Sequence, residues 1–314
     1  MYENLKINMM PLVFVHIPKT AGTSLRSTLS LEFNEGEVLC DYGPNELETS
    51  TKVMDAIYKN KDVYSVINEG EKLIFGHFLA KKYIHLSCYE NIITFVRNPV
   101  ERVVSEFKHF QRHRNFKGSI IEFAKLPRNR NMMHLYLRGV PWSALGFIGV
   151  SERFDDSLEL LNKKYKMTVE PEILNGAPKK QHVELSIEDY EAIVELNELD
   201  ISIYEKAFNA FTWRYDLHKQ NREFVHGGWS LNSTKKEISG FAFFENCESA
   251  VSISIKGRLN KVSIVIANKF HSEIHKYGGA RCGYVGFSLK TLTYDVSDIE
   301  CFVTDTNQPI PHIG

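Results

Sequence analysis

A strong charge of either sign is missing from this chain. Its 314 residues carry 38 Lys and Arg against 39 Asp and Glu, a formal net charge of −1. That balance excludes charge-driven binding of nucleic acid by the protein as a whole. The five cysteines (Cys40, Cys88, Cys247, Cys282, Cys301) are scattered with no C-x-x-C pair. This argues against a zinc site and a disulfide framework, and the odd count fits a reducing compartment. No apolar run follows Met1, because Tyr2 to Asn8 is mixed and polar. Neither a signal peptide nor a membrane span is therefore expected, and a cytoplasmic location is. Clustered carboxylates that would hold Mg²⁺ are also lacking, so no metal is expected. Internal repeats and low-complexity tracts are absent as well. What remains is of ordinary composition, 43% hydrophobic and 25% charged, with length enough for two domains.

Against this plain background one stretch stands out: Val13-Phe14-Val15-His16-Ile17-Pro18-Lys19-Thr20-Ala21-Gly22-Thr23-Ser24-Leu25. It reads as a buried strand, a tight loop and the start of a helix. The loop combines a cation (Lys19), three hydroxyls (Thr20, Thr23, Ser24) and a glycine (Gly22). A helix N-terminus presents free N–H groups and partial positive charge, so it attracts anions. Hydroxyls there cap the helix or donate to phosphate oxygens, and a glycine lets the backbone approach the ligand. The spacing is not that of a Walker A loop, since the lysine precedes the glycine by three residues.

The rest of the first two thirds alternates strands with helices. Leu12–Ile17, Lys72–Phe75, Asn91–Val96 and Phe147–Val150 read as strands. Helices are expected over Ser24–Phe33, near Thr51–Tyr58, from Pro99 with Asn98 as its cap, over Phe154–Tyr165 and along Ile187–Phe211. Such alternation predicts an α/β fold, a P-loop-like parallel sheet flanked by helices, with ligands at the carboxyl ends of the strands. Three motifs lie at such ends, after Ile17, Phe75 and Val96. From Ile238 onward the pattern changes to period two, as in Val251-Ser252-Ile253-Ser254-Ile255, with turn signals between runs. A small antiparallel β-sandwich is expected there, giving domains at 1–222 and 223–314.

The segment His16-Ile17-Pro18-Lys19-Thr20-Ala21-Gly22-Thr23-Ser24 resembles the 5′-phosphosulfate loop of sulfotransferases. It looks most like carbohydrate sulfotransferases related to heparan sulfate 2-O-sulfotransferase. The likeness covers roughly residues 11–215 and implies 3′-phosphoadenosine 5′-phosphosulfate, PAPS, as sulfuryl donor, with PAP as product. Lys19, Thr20, Ala21, Gly22, Thr23 and Ser24 would hold the 5′ end. Arg97, with Ser105 eight residues later, matches the family's 3′-phosphate signature; an arginine can fork onto a phosphate with two charge-assisted bonds. His77, in Gly76-His77 after a strand, matches the proposed general base, a role suited to a histidine pKa. Lys19 would also neutralise charge on the bridging oxygen. Further family-like segments run through Asn129-Arg130-Asn131, Gly149 to Phe154 and Asn197-Glu198-Leu199-Asp200. By that resemblance they are expected to support the cofactor pocket and the fold, without chemistry.

The implied activity is transfer of a sulfuryl group from PAPS to a hydroxyl of a glycan or glycolipid, in a cytoplasmic, bacterial relative. Residues 108–138 carry eight Lys and Arg against one acid, a local net of +7, which hints at an acidic acceptor. Two rival readings remain. One is an ATP-dependent kinase-like phosphotransferase; the other is a non-catalytic module that holds acidic polysaccharide on the 108–138 segment. His16 is expected to be buried and structural. The basic end of the helix from Pro99 (His109, Arg112, His113, Arg114) either meets an anionic acceptor or is simply solvated. Lys179 and Lys180, in a Gly/Pro loop after Asn175, either reach the 3′-phosphate or, the preferred reading, form a surface loop. Trp229, Phe241, Phe243 and Phe244 read as core packing rather than a sugar-stacking platform.

Overall fold

A computed structural model describes residues 10–34, 36–44, 46–59, 61, 67, 70–170, 185–257, 261–290 and 295–313, without the side chains of residues 22–24. The chain forms two units. The first comprises residues 1–86, 93–139 and 147–208, the second residues 87–92, 140–146 and 209–314.

The first unit is built on strands β1 (Leu12–Val15), β2 (Val38–Asp41), β3 (Leu73–Gly76), β4 (Ile92–Val96) and β5 (Phe147–Val150), in the order β2-β3-β1-β4-β5. β2 with β3, β3 with β1, and β4 with β5 pair in parallel. Every residue of β1, β3 and β4 is buried, as expected for strands covered on both faces. Phe14 sets its ring edge-on to Phe75, 4.5 Å between centroids, and to Phe95 at 6.0 Å, so three neighbouring strands lock through aromatic contacts. The connection leaving β1 runs to β2 on one side, whereas those leaving β3 and β4 run the other way. The carboxyl end of β1 is thus a topological switch point, where open α/β sheets bind ligands.

Helix α1 (Gly22–Ser30) follows β1. It starts two residues before the expected Ser24 because Ala21, left-handed at φ 69°, turns the chain into it. It stops short of Phe33, where bonds such as Phe33 N to Ser30 O tighten into turns. Helix α2 spans Thr51–Tyr58. Helix α3 (Pro99–His113) has Pro99 in its first turn, and Asn98 Oδ1 accepts from the N–H groups of Val100 and Glu101. Its buried face of Val100, Val103, Val104 and Phe107 packs with Phe123 of α4 (Ile120–Ala124) and Ile193 of α7 (Ile187–Leu196). α5 (Met132–Leu137) and α6 (Phe154–Tyr165) lie between these in sequence.

The helical pattern expected over Ile187–Phe211 is two helices, α7 and α8 (Glu198–Lys219). Asn197 breaks it: its amide donates to the Ile193 carbonyl at 2.9 Å, closing α7. The start of α8 is then capped from elsewhere, because Asn131 Oδ1 accepts from the N–H groups of Leu199 and Asp200. The favour is returned at α5. Asn197 Oδ1 accepts from Asn131 N, and the Asp200 carboxylate accepts from Met133 N at 3.0 Å and His134 N at 2.8 Å. Two helix starts thus satisfy each other's orphan donors. This is the structural work done by the Asn131 and Asn197-to-Asp200 segments.

The second unit contains two three-stranded sheets. One is ordered β10-β7-β6, from Val225–Asn232 (β6), Glu237–Phe244 (β7) and Gly286–Lys290 (β10). The other is ordered β11-β8-β9, from Val251–Lys256 (β8), Val262–Ala267 (β9) and Glu300–Val303 (β11); a short helix, α9 (Ser272–Lys276), follows β9. All the pairings are antiparallel. Val225, Trp229 and Ile238 from the first sheet and Val251, Ile253 and Cys301 from the second share one apolar core, a sandwich. Trp229, Phe241 and Phe243 are buried, and Phe244 packs against that core, so these aromatics serve packing. No disulfide joins the five cysteines. Among the described residues, no helix is long and apolar enough to cross a membrane.

Candidate active site

The loop after β1 has a constrained backbone. Lys19 and Ala21 both take positive φ, 68° and 69°, a conformation that non-glycine residues adopt at a cost and that clusters at ligand sites. Thr20 is buried, and its hydroxyl donates to the Ile17 carbonyl at 2.8 Å. Its side chain therefore ties the loop rather than offering a proton to an anion. Gly22, Thr23 and Ser24 form the first turn of α1, whose leading N–H groups lack intrahelical partners.

β1 and β4 are neighbours, so Arg97, the first residue after β4, meets this loop. Its Nη1 donates to the Lys19 carbonyl at 3.3 Å, and its Nη2 stands 3.5 Å from Glu101. Ser105 lies half-buried on α3. Burial holds the Lys19 ammonium below its usual pKa; Glu106 opposes that shift, while Arg97 and Arg112 add to it. The positive groups here thus repel one another, with Glu106 as the opposing charge. An electrostatic field of this form favours a multiply charged anion. The donor set fits a phosphosulfate and a phosphate: guanidinium, ammonium and helix-start N–H groups.

Next to the loop stands His77, the first residue after β3. Its N–H donates to the Asp41 carbonyl at 2.9 Å. Gly76 before it admits no side chain, because a Cβ would lie 1.9 Å from the Asp41 carbonyl oxygen. The Nε2 of His77 is buried and has no hydrogen-bond partner among the described residues. Burial is the main cause that drives its pKa down to about 4; Glu48 opposes this, and Arg26 and Lys19 contribute. His16 lies 4.5 Å from it, ring centroid to centroid. Its pKa is also held well below the ordinary value, first by burial and then by His77, Arg26 and Lys19. Both rings are therefore neutral at pH 7.

That neutrality has a stability consequence. Unfolding frees both rings to protonate near pH 6.5, so below that pH the unfolded chain binds more protons and stability falls as the pH drops toward 4. Thermal and denaturant unfolding between pH 6.5 and 5 should show a slope approaching about 1.4 kcal/mol per pH unit for each histidine. His16→Asn should remove one share of it. A wild-type slope that His16→Asn leaves unchanged would contradict the burial argument.

Sequence reasoning had singled out Lys19, Arg97 and His77, and the fold brings them to adjacent strand ends. His16 was expected to be structural; it is buried, yet its Nδ1 has no partner. Tyr42, Arg26 and Glu106 were not anticipated. Tyr42 was hidden because Val38–Asp41 is a short edge strand inside a stretch with no clear periodicity. Lys179 and Lys180 lie outside the described residues.

The fold and the site together define an α/β protein with a constrained, lysine-bearing loop at the switch point of its sheet. Residues 9–142 match the profile of the sulfotransferase family, Sulfotransfer_2. The matched residues include the loop, His77 and Arg97. Among solved structures the chain is similar to a sulfotransferase from Alicyclobacillus acidocaldarius, at 14% identity and a TM-score of 0.34, covering 63% of this chain and 96% of that one. No curated protein matches the chain.

Proposed function

We propose that the protein is a PAPS-dependent O-sulfotransferase acting on a hydroxyl of a glycan or glycolipid, with His77 as general base. The observation that carries this reading is the meeting of Lys19, Arg97 and a neutral, unpartnered His77 imidazole at three neighbouring strand ends. PAPS, when bound, supplies the sulfuryl group and a phosphate leaving group. Lys19 and the start of α1 would hold its 5′ end, and Arg97 with Ser105 its 3′-phosphate. His77 Nε2 accepts the proton of the attacking hydroxyl as its oxygen bonds to sulfur. The sulfur–oxygen bond to the 5′-phosphate breaks, and the electron pair leaves with the phosphate beside Lys19. An anion beside Lys19 also offsets the positive field that depresses His77, so the base strengthens when the site is filled. Holding both reactants in place removes much of the entropic barrier. The likeness to heparan sulfate 2-O-sulfotransferases supports the choice of a sugar acceptor.

The test begins with adenosine 3′,5′-bisphosphate and calorimetry. Lys19→Ala and Arg97→Ala should each weaken its binding at least tenfold, about 1.4 kcal/mol; unchanged affinity in both variants would overturn the assignment. A screen of PAPS against glycans, glycolipids and small alcohols, reading bisphosphate release, then identifies the acceptor. Turnover that persists in a chelator separates this reaction from a Mg²⁺-dependent phosphotransferase. Salt-sensitive polysaccharide binding without turnover would favour a binding module instead.

A further inference from the structure

Three adjacent parallel strands end in register. Val15 of β1 pairs with Gly76 of β3, and Gly76 pairs with Asp41 of β2. The residue that follows each is a ring bearing a polar atom: His16, His77 and Tyr42. His16 N donates to the Gly76 carbonyl and His77 N to the Asp41 carbonyl, both at 2.9 Å, so the sheet's own hydrogen bonds fix these positions. The centroid of His77 lies 4.5 Å from that of His16 and 4.7 Å from that of Tyr42. These spacings match the distance between neighbouring strands, ~4.7–4.9 Å. The order across the sheet is Tyr42, His77, His16, with the Lys19 loop beginning beyond His16.

The row is polar yet unsatisfied. Among the described residues, His16 Nδ1 and His77 Nε2 are buried without a hydrogen-bond partner, and the buried Tyr42 hydroxyl faces the Arg26 guanidinium. Buried polar atoms are nearly always paired, so two orphaned imidazole nitrogens beside a buried hydroxyl indicate a missing polar ligand. The chemistry of that ligand follows from the charge state. Both imidazoles are neutral, and the tyrosine stays protonated because burial raises its pKa. Arg26, whose guanidinium lies 5.0 Å from the Tyr42 ring centre, has Glu48 at 4.0 Å as its counter-ion. Each group in the row is therefore a neutral donor and acceptor. Neutral groups that both donate and accept match hydroxyls, which do the same.

We propose that His16 and Tyr42 complete an acceptor subsite around His77 that takes a polyol, such as a sugar ring, carrying a second oxygen next to the hydroxyl to be sulfated. This rests on the reading of the site as a sulfotransferase. His77, in the middle, takes the proton of the reacting hydroxyl. Tyr42, on the side away from the Lys19 loop, holds the neighbouring oxygen and so decides which acceptors are used. His16, on the donor side, is a positioning residue for the pair. The orphaned atoms need not be dry before the acceptor arrives, and displaced water leaves as the hydroxyls replace it.

The experiment uses methyl glycosides, each paired with its analogue lacking the neighbouring hydroxyl, with PAPS and the full chain. Wild type should favour the complete glycoside at least thirtyfold in kcat/KM, since a site built to bond a hydroxyl rejects the analogue without it. Tyr42→Phe should bring that ratio below threefold, acting through KM, with bisphosphate affinity and melting temperature unchanged. His16→Asn, which keeps a donor and an acceptor, should retain more turnover than His16→Leu. A wild type indifferent to the neighbouring hydroxyl, or a ratio that Tyr42→Phe leaves intact, overturns the subsite. So does a lack of transfer to every glycoside. Bisphosphate titration then locates that failure: bound nucleotide faults the subsite, and unbound nucleotide faults the sulfotransferase reading beneath it.

Discussion

Asp200→Ala should lower the stability of the first unit by about 3–5 kcal/mol. The carboxylate is fully buried and accepts from two N–H groups at the start of α5, at 3.0 and 2.8 Å. Burial raises the carboxylate's pKa, while the two N–H groups and the charge of Arg102, itself buried, favour the ionised form. Removing Asp200 leaves two orphan donors and strips Arg102 of that opposing charge. Each buried unpaired donor alone costs about 1–3 kcal/mol. α5 has no remedy of its own, because Asn131 is left-handed at φ 49° and its side chain is engaged at α8. Denaturant unfolding followed by far-UV circular dichroism measures the loss. A change below 1 kcal/mol would mean that water replaces the carboxylate and that the crossed caps matter little.

His77→Ala should leave adenosine 3′,5′-bisphosphate binding within twofold of wild type while turnover falls at least a hundredfold. A positioned general base typically contributes about 10²–10⁴ in rate, and a hundredfold loss corresponds to about 2.7 kcal/mol of transition-state stabilisation. The two readouts separate because Lys19 and Arg97 hold each other through the Lys19 carbonyl, independently of the His77 ring. Alanine also leaves the backbone pairing of His77 N with the Asp41 carbonyl intact. Unchanged turnover would remove His77 from the chemistry. Loss of nucleotide binding together with turnover would instead make it part of the donor site.

Much of the first unit could be read in advance because its signals are local. β1 and β5 are unbroken apolar runs, β4 is interrupted by Thr94 alone, and α3 opens with Asn98-Pro99, a cap and a proline whose meaning is contained in two residues. α6 fits its expected span for the same reason. What escaped was set by distant partners. The break at Asn197 depends on Asn131, 66 residues away, and apolar spacing through that segment gives no hint of it. The candidate site divides along the same line. Lys19, Arg97 and His77 sit in motifs that can be recognised from their neighbours. The importance of His16 and Tyr42 rests on the register of β1, β3 and β2, a relation between three strands that pairing alone defines. β2, four residues long at the sheet edge and only alternately buried, carries too weak a pattern to announce itself.

The ladder beneath that row has a further meaning. Its rungs at positions 16 and 77 are peptide bonds and Tyr42 N donates to the Thr49 hydroxyl, all indifferent to the side chain at each position, so the backbone there holds still when the residues change. Under the proposed function and subsite, donor handling lies on one flank and acceptor choice on the other. Position 42 is then a dial that a single codon can turn: new substrates become accessible by repainting one tile, while the frame that grips the nucleotide keeps its shape.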